Sequence, residues 1–146
     1  MLNFIGGAIF ANGRSQYLDH DADATEGSAK IFVQIAPEGF DGPVLAQLDT
    51  GAAWSVLNRE IADELGLLGG DGEVMTISTR NGNYTGRLEE ATITILAQEG
   101  ESLEVNARVF VSNDWPGRTF LGYSGLLERI RFGLDPQSNH FYFGGY

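Results

Sequence analysis

The sequence predicts a mainly-β protein: one closed sheet or barrel carrying one or two short helices. Three observations predict it. Runs in which apolar residues alternate with period two recur at short, regular spacing, separated by clusters of Gly, Pro, Asn and Asp. Twenty of the 146 residues are glycine, as many tight turns between strands require. Arg80-Asn81-Gly82-Asn83 stands between two β-prone runs, and Asn-Gly in that setting is the strongest short-range hairpin signal. No repeat, low-complexity tract or interdomain linker interrupts the pattern. At this length the chain forms one domain with a genuine core.

The elements follow in order. Met1 to Asn12 is mildly apolar (Leu2, Phe4, Ile5, Ile9, Phe10) and lacks the positive stretch that opens a secretory signal. It is expected to be a strand or arm of the mature protein. Residues 13–29 turn polar and complete an N-terminal region ahead of the main domain, residues 30–146. Within it, Asp19-His20-Asp21-Ala22-Asp23 invites a metal-site reading, but ligands so close in sequence cannot all reach one ordered cage. A solvated loop is the better reading. Lys30–Ala36 alternates with Ile31, Val33 and Ile35 on one face, and Val44–Leu48 forms the next strand after a turn-rich connection. Trp54–Leu57 continues extended. Asn58 suits the N-cap of a short helix, Arg59–Leu65, closed by Gly66. Leu67–Gly72 is a loop without the Gly-Lys-Ser/Thr ending of a phosphate loop.

Val74–Thr79 and Tyr84–Glu90 flank the Asn-Gly turn, and Ala91–Ala97 gives another strand. Leu103–Val111 places Val105, Ala107, Val109 and Val111 on one face. Phe120-Leu121-Gly122 is a short apolar run ending in glycine. Ser124–Arg131 predicts a second helix, with Ser124 as N-cap and Leu126, Leu127 and Ile130 facing inward. Strands at Phe132–Leu134 and His140–Phe143 close the chain.

Composition excludes several functions. A net charge of −11 and a pI near 4.4, with nine scattered Lys and Arg, argue against nucleic acid or anionic membrane as partner. With no cysteine there is no disulfide framework, thiolate nucleophile or Cys-based metal site, which leaves the compartment open and is compatible with a reducing one. A cytoplasmic location is the expectation from the lack of an evident signal peptide or membrane span. No apolar run reaches the roughly 18 residues of a membrane span. His20 and His140 have no spaced acidic or thiol partner, and no Gly-x-Ser-x-Gly elbow occurs. Trp54 and Trp115 read as packing residues.

The chemistry concentrates in Leu48-Asp49-Thr50-Gly51-Ala52. Val44, Ala46 and Leu48 share one strand face, so Asp49 falls on the other, at the strand's end. Gly51 permits a tight turn that brings backbone N–H groups near the carboxylate. Asp-Thr-Gly alone is most often only a turn. As chemistry, it offers one acid/base group beside a hydroxyl, whereas hydrolysing an amide with water and aspartate takes two carboxylates.

Leu-Asp-Thr-Gly-Ala followed by Val56-Leu57, with Phe120-Leu121-Gly122 about seventy residues downstream, resembles the aspartic proteases. The single copy in a short chain resembles their retroviral-type, retropepsin-like branch, over roughly residues 30–143. The resemblance implies a single acid-protease lobe that acts as a homodimer on peptide or protein substrates, with no metal or cofactor. It implies Asp49, Thr50 and Gly51 as the catalytic loop, with the Thr50 hydroxyl bonding across a two-fold axis. Ala52, Ala53, Leu121 and Gly122 would belong to the substrate site, the last two also threading beside the loop and fixing it. Arg80–Gly86 would be a flap, closing Asn81, Gly82 and Tyr84 over the substrate.

The resemblance also implies terminal strands interleaved between protomers, which would bury Phe141–Tyr146; packing on its own protomer is the alternative. Retroviral enzymes carry an acidic residue where this chain has Ala53 and an arginine where it has Tyr123, so that salt bridge is absent. The pattern sits closer to bacterial or cellular retropepsin-like proteins. The implied function is endopeptidase action, with water activated between two Asp49 carboxylates. The rivals are a non-catalytic module of the same type, for dimerisation or peptide binding, and a small β-domain whose Asp-Thr-Gly is merely a turn.

Overall fold

Period-two alternation becomes a closed ring of strands in the computed structural model, which describes residues 1–21 and 30–146. The strands are β1 (Leu2–Asn3), β2 (Ile9–Ala11), β3 (Gly13–Gln16), β4 (Ile31–Pro37), β5 (Val44–Leu48), β6 (Ser55–Val56), β7 (Glu73–Thr79), β8 (Gly82–Ile95), β9 (Glu99–Gly100), β10 (Leu103–Val111), β11 (Phe120–Leu121), β12 (Arg131–Asp135) and β13 (His140–Gly144). One α-helix, α1 (Arg59–Glu64), and short 3-10 turns at Leu67–Gly69 and Leu127–Arg129 complete the described elements.

β8 organises the ring. One edge pairs antiparallel with β10 from Arg87 to Ile95, while the other pairs with β7 near its start and β4 near its end. β4 pairs antiparallel with β5, β5 parallel with β11, β11 antiparallel with β6, and β6 parallel with β10. The circuit β8-β4-β5-β11-β6-β10 therefore closes, with β7 attached outside it. Closure removes edge strands from the ring itself, leaving β7 as the free edge. The core holds Val33 and Ile35 of β4, Ile93 and Ile95 of β8, and the alternate residues Val105, Ala107, Val109 and Val111 of β10, all at most 4% exposed. A second sheet, β12-β13-β3-β9, adds Phe141 and Phe143 to the same core.

Most predicted strands and the Asn58-capped helix are found in place; Asn58 accepts from the Glu60 N–H at 2.8 Å. The differences have physical reasons. Tyr84–Glu90 and Ala91–Ala97 form one strand, because no Gly or Pro breaks the junction and β10 pairs with both halves in a single register. Gly13–Gln16, expected in a polar loop, is a strand between β13 and β9. A Cβ on Gly13 would lie 2.4 Å from the Phe143 ring, so this glycine is a packing residue. The helix expected over Ser124–Arg131 is only a 3-10 turn. Gly125 takes a φ of 80° against the carbonyl oxygen of Arg108, which breaks helical continuity, while Leu126, Leu127 and Ile130 are buried as expected.

The C-terminal strand does not await a partner. β13 is flanked by β12 and β3 of its own chain, with Phe141 and Phe143 fully buried, so packing within the protomer is what the structure has. Only Gly145 and Tyr146 extend beyond it exposed. Asp21 is not solvated either: its side chain is 13% exposed and pairs with Arg118 at 2.6 Å. Ala22 and Asp23 lie outside the described residues. Among the described residues no helix is long and apolar enough to cross a membrane.

Candidate active site

The strand pairing that closes the ring also builds the Asp49 loop. β5 runs parallel to β11, with Leu48 opposite Leu121, and the Asp49 N–H donates to the Leu121 carbonyl at 3.0 Å. The chain then turns tightly. The Ala52 N–H donates to the Asp49 carbonyl at 3.2 Å, and the Gly51 N–H donates to the carboxylate Oδ1 at 2.9 Å. Beyond the turn, the carbonyls of Ala52 and Ala53 accept from the N–H groups of Tyr123 and Ser124 at 2.9 and 2.8 Å. The loop from Asp49 to Trp54 is thus stitched along one continuous segment, Leu121 to Ser124. Ala53 and Tyr123, the positions without the retroviral ion pair, sit on successive rungs of this ladder, Tyr123 bonded to Ala52 and Ala53 to Ser124.

Gly122 is the tightest point. A Cβ there would lie 2.4 Å from both the carbonyl carbon and oxygen of Trp54, and its N–H donates to the buried Ser55 hydroxyl at 2.9 Å. Behind it, the Thr119 hydroxyl accepts from the Asn58 N–H at 3.0 Å, and Asn58 Nδ2 donates to the Gly117 carbonyl at 3.3 Å. The residue that caps α1 therefore also holds the segment leading into β11.

In front of the loop opens a cleft of about 890 Å³, roofed by the β7–β8 hairpin. Asp49 is half-buried and is the one carboxylate lining it among the described residues. Gly51, Ala52, Ala53, Asn81 and Tyr84 line the cleft as well. Thr50 is exposed outside it, and three residues expected at the substrate site do not line it: Gly82 begins β8 with a φ of 134°, while Leu121 and Gly122 are buried behind the loop, where close backbone packing makes them its support. The hairpin turn is displaced by one residue from the Asn-Gly expectation. Thr79 pairs with Gly82, so Arg80 and Asn81 form the tip, and the Thr79 hydroxyl closes it by donating to the Gly82 carbonyl at 2.9 Å.

Trp54 and Trp115 pack against the Val56, Leu88 and Phe110 cluster, as expected, and both also face the cleft. Trp115 stands edge-on to Tyr84 at 5.1 Å and to Phe120 at 6.0 Å, and its indole N–H donates to the Arg118 carbonyl at 3.0 Å. It joins the hairpin, near its tip, to the β11 strand that supports the Asp49 loop. Met75 and Ile77 of β7 complete the apolar side, and their period-two spacing was the signal that could have found them.

No protein-family model matches the sequence, and no curated protein does. Among solved structures, a retropepsin-like aspartic protease from Rickettsia conorii is similar with a TM-score of 0.55 and 21% identity, over 90% of this chain and 89% of that chain. At that identity the likeness shows the fold. The protein has the single-lobe, retropepsin-like fold, with a lone aspartate at the end of β5 facing a cleft under a hairpin.

Proposed function

We propose that the protein is an aspartic endopeptidase of the retropepsin-like type, acting as a C2 homodimer on extended peptide segments. One observation carries the reading: Asp49, held at a strand end by the parallel pairing of β5 with β11, is the one carboxylate lining the cleft among the described residues. That is half of a two-carboxylate site. Thr50, Gly51, Ala53 and Tyr123 are exposed around it, a surface a second copy can cover. A two-fold axis beside Thr50 sets the two Asp49 side chains face to face.

The chemistry follows from electrostatics. Two carboxylates in contact cannot both ionise cheaply, so they share one proton and titrate as a pair. The ionised member takes a proton from water as the oxygen attacks the scissile carbonyl, while the protonated member donates to the carbonyl oxygen. Collapse of the tetrahedral intermediate passes a proton to the departing amine. The hairpin, anchored by Tyr84 on Trp115, shields the reaction from bulk water. A cysteine-free chain suits a reducing compartment, and the cytoplasm is the proposed location.

The test joins sedimentation equilibrium, from micromolar to submillimolar protein at neutral and mildly acidic pH, to cleavage of a peptide library. A dimer that cleaves, and an Asp49→Asn dimer that folds but does not, is the expected result. A strict monomer under all conditions, or cleavage that survives Asp49→Asn, overturns the proposal.

A further inference from the structure

The nine Lys and Arg side chains divide into two groups. Seven are engaged: three in ion pairs with Asp or Glu, and four on backbone carbonyl oxygens. Lys30 and Arg80 make no ion pair, hydrogen bond or ring contact among the described residues, and both line the cleft. The chain has 20 Asp and Glu with which to neutralise 9 bases, yet the two cations left unpaired are the two facing this cavity. Their places differ. The β4–β5 register, continued one step past the Ile31–Leu48 pair, sets Lys30 opposite Asp49 on the cleft floor. Arg80 occupies the hairpin tip on the opposite wall.

An unpaired cation in a partly enclosed site favours an anionic ligand group, and in this protein only short-range contacts can supply that preference. At net −11 the long-range field repels acidic ligands, and at physiological salt it is screened within about 8 Å. Trp54, Met75, Ile77, Tyr84 and Phe120 give the wall a large apolar and aromatic share, beside uncharged polar groups such as Gln47, Thr76 and Asn81. An extended peptide presents successive side chains to opposite sides, so it can offer apolar groups to that wall and a carboxylate to a cation at an intervening position.

Building on the endopeptidase reading of the same cleft, we infer that it selects peptides carrying an acidic side chain close to the scissile bond. Lys30 receives that carboxylate at the floor as a point charge, and Arg80 receives one from the hairpin tip through its planar fork.

The experiment compares matched peptides that differ only by Glu against Gln at each position flanking an apolar pair. Two readouts are used: cleavage by the wild-type protein, and equilibrium binding to the Asp49→Asn protein. The expected result is about tenfold tighter binding of the Glu peptide at one or more positions, the scale of one charge-assisted hydrogen bond. Lys30→Met or Arg80→Met should bring that Glu/Gln ratio toward one, and Lys30→Glu should reverse it in favour of a Lys-substituted peptide.

A ratio near one at every position, a ratio untouched by all three variants, or no binding of either peptide set overturns the inference. So does a Lys30→Met variant whose pH profile moves while its Glu/Gln ratio stays fixed, because Lys30 then serves Asp49 and not the ligand. Selective binding without cleavage refutes the endopeptidase and leaves standing the acidic preference of the cleft as a peptide-binding site. Cleavage without acidic preference does the reverse.

Discussion

Gly122→Ala tests whether the Asp49 loop is held by close backbone packing. The added methyl carbon would lie 2.4 Å from two backbone atoms of Trp54 and 2.8 Å from the Ser55 nitrogen. No rotamer change relieves that, because every obstructing atom is main chain. The loop must move by about 1 Å to restore ordinary contact, breaking the bond from the Gly122 N–H to the Ser55 hydroxyl. Overpacking of this kind costs about 3 kcal/mol, the upper end of its usual range. For a domain of this size, that is a fall in Tm of roughly 10 °C.

Gly133→Ala is the matched control. It lies in β12, and a Cβ there meets nothing within 4 Å, so its change should stay within about 0.5 kcal/mol. Melting by circular dichroism at one fixed protein concentration gives both numbers, and peptide cleavage reads the loop. Gly122→Ala should lose cleavage even at temperatures where it remains folded, since Trp54 shares the Asp49 loop. If Gly122→Ala melts within about 1 kcal/mol of wild type and cleaves normally, the packing argument is refuted.

Other expectations follow from single contacts. Ser55→Ala leaves the buried Gly122 N–H without its acceptor, which should cost about 1–3 kcal/mol, read as a lower urea midpoint at unchanged m. Trp115→Leu removes the edge contacts to Tyr84 and Phe120, each worth about 0.5–1.5 kcal/mol. It should raise KM more than it lowers kcat, because it loosens the cleft wall without touching Asp49. The Ser138 hydroxyl, donating to Asp135 at 2.6 Å, holds that carboxyl below its ordinary pKa. The contribution to stability is therefore present above the ordinary carboxylate pKa and is lost as pH falls through the lowered one. In Ser138→Ala a carbon-detected NMR titration should show Asp135 moving back up toward the ordinary value, and an unmoved titration refutes that cause.

Features that depend on neighbours along the chain are legible in the sequence. Alternation in Lys30–Ala36 and Leu103–Val111 yields real strands because the side-chain period of an extended backbone is local. Asn58 caps its helix because the acceptor and the orphan N–H lie two residues apart. Asp49 reaches the end of a strand, opposite a core face, for the same local reason.

Features that depend on partners distant in sequence emerge only on folding. Gly13–Gln16 is a strand because Phe141 and Phe143 arrive beside it, and no pattern within four polar or small residues announces that. Phe141–Phe143 looks adhesive in isolation, yet two strands of its own chain enclose it. Trp115 reads as packing in the sequence and does pack, but that its partner is Tyr84 of the hairpin emerges only in the fold. The cationic character of the cleft is hidden in a chain of net −11, because which bases remain unpaired depends on where the carboxylates come to rest. Local geometry is written in short-range sterics and hydrogen bonds. Pairing, burial and charge balance arise only when remote segments meet.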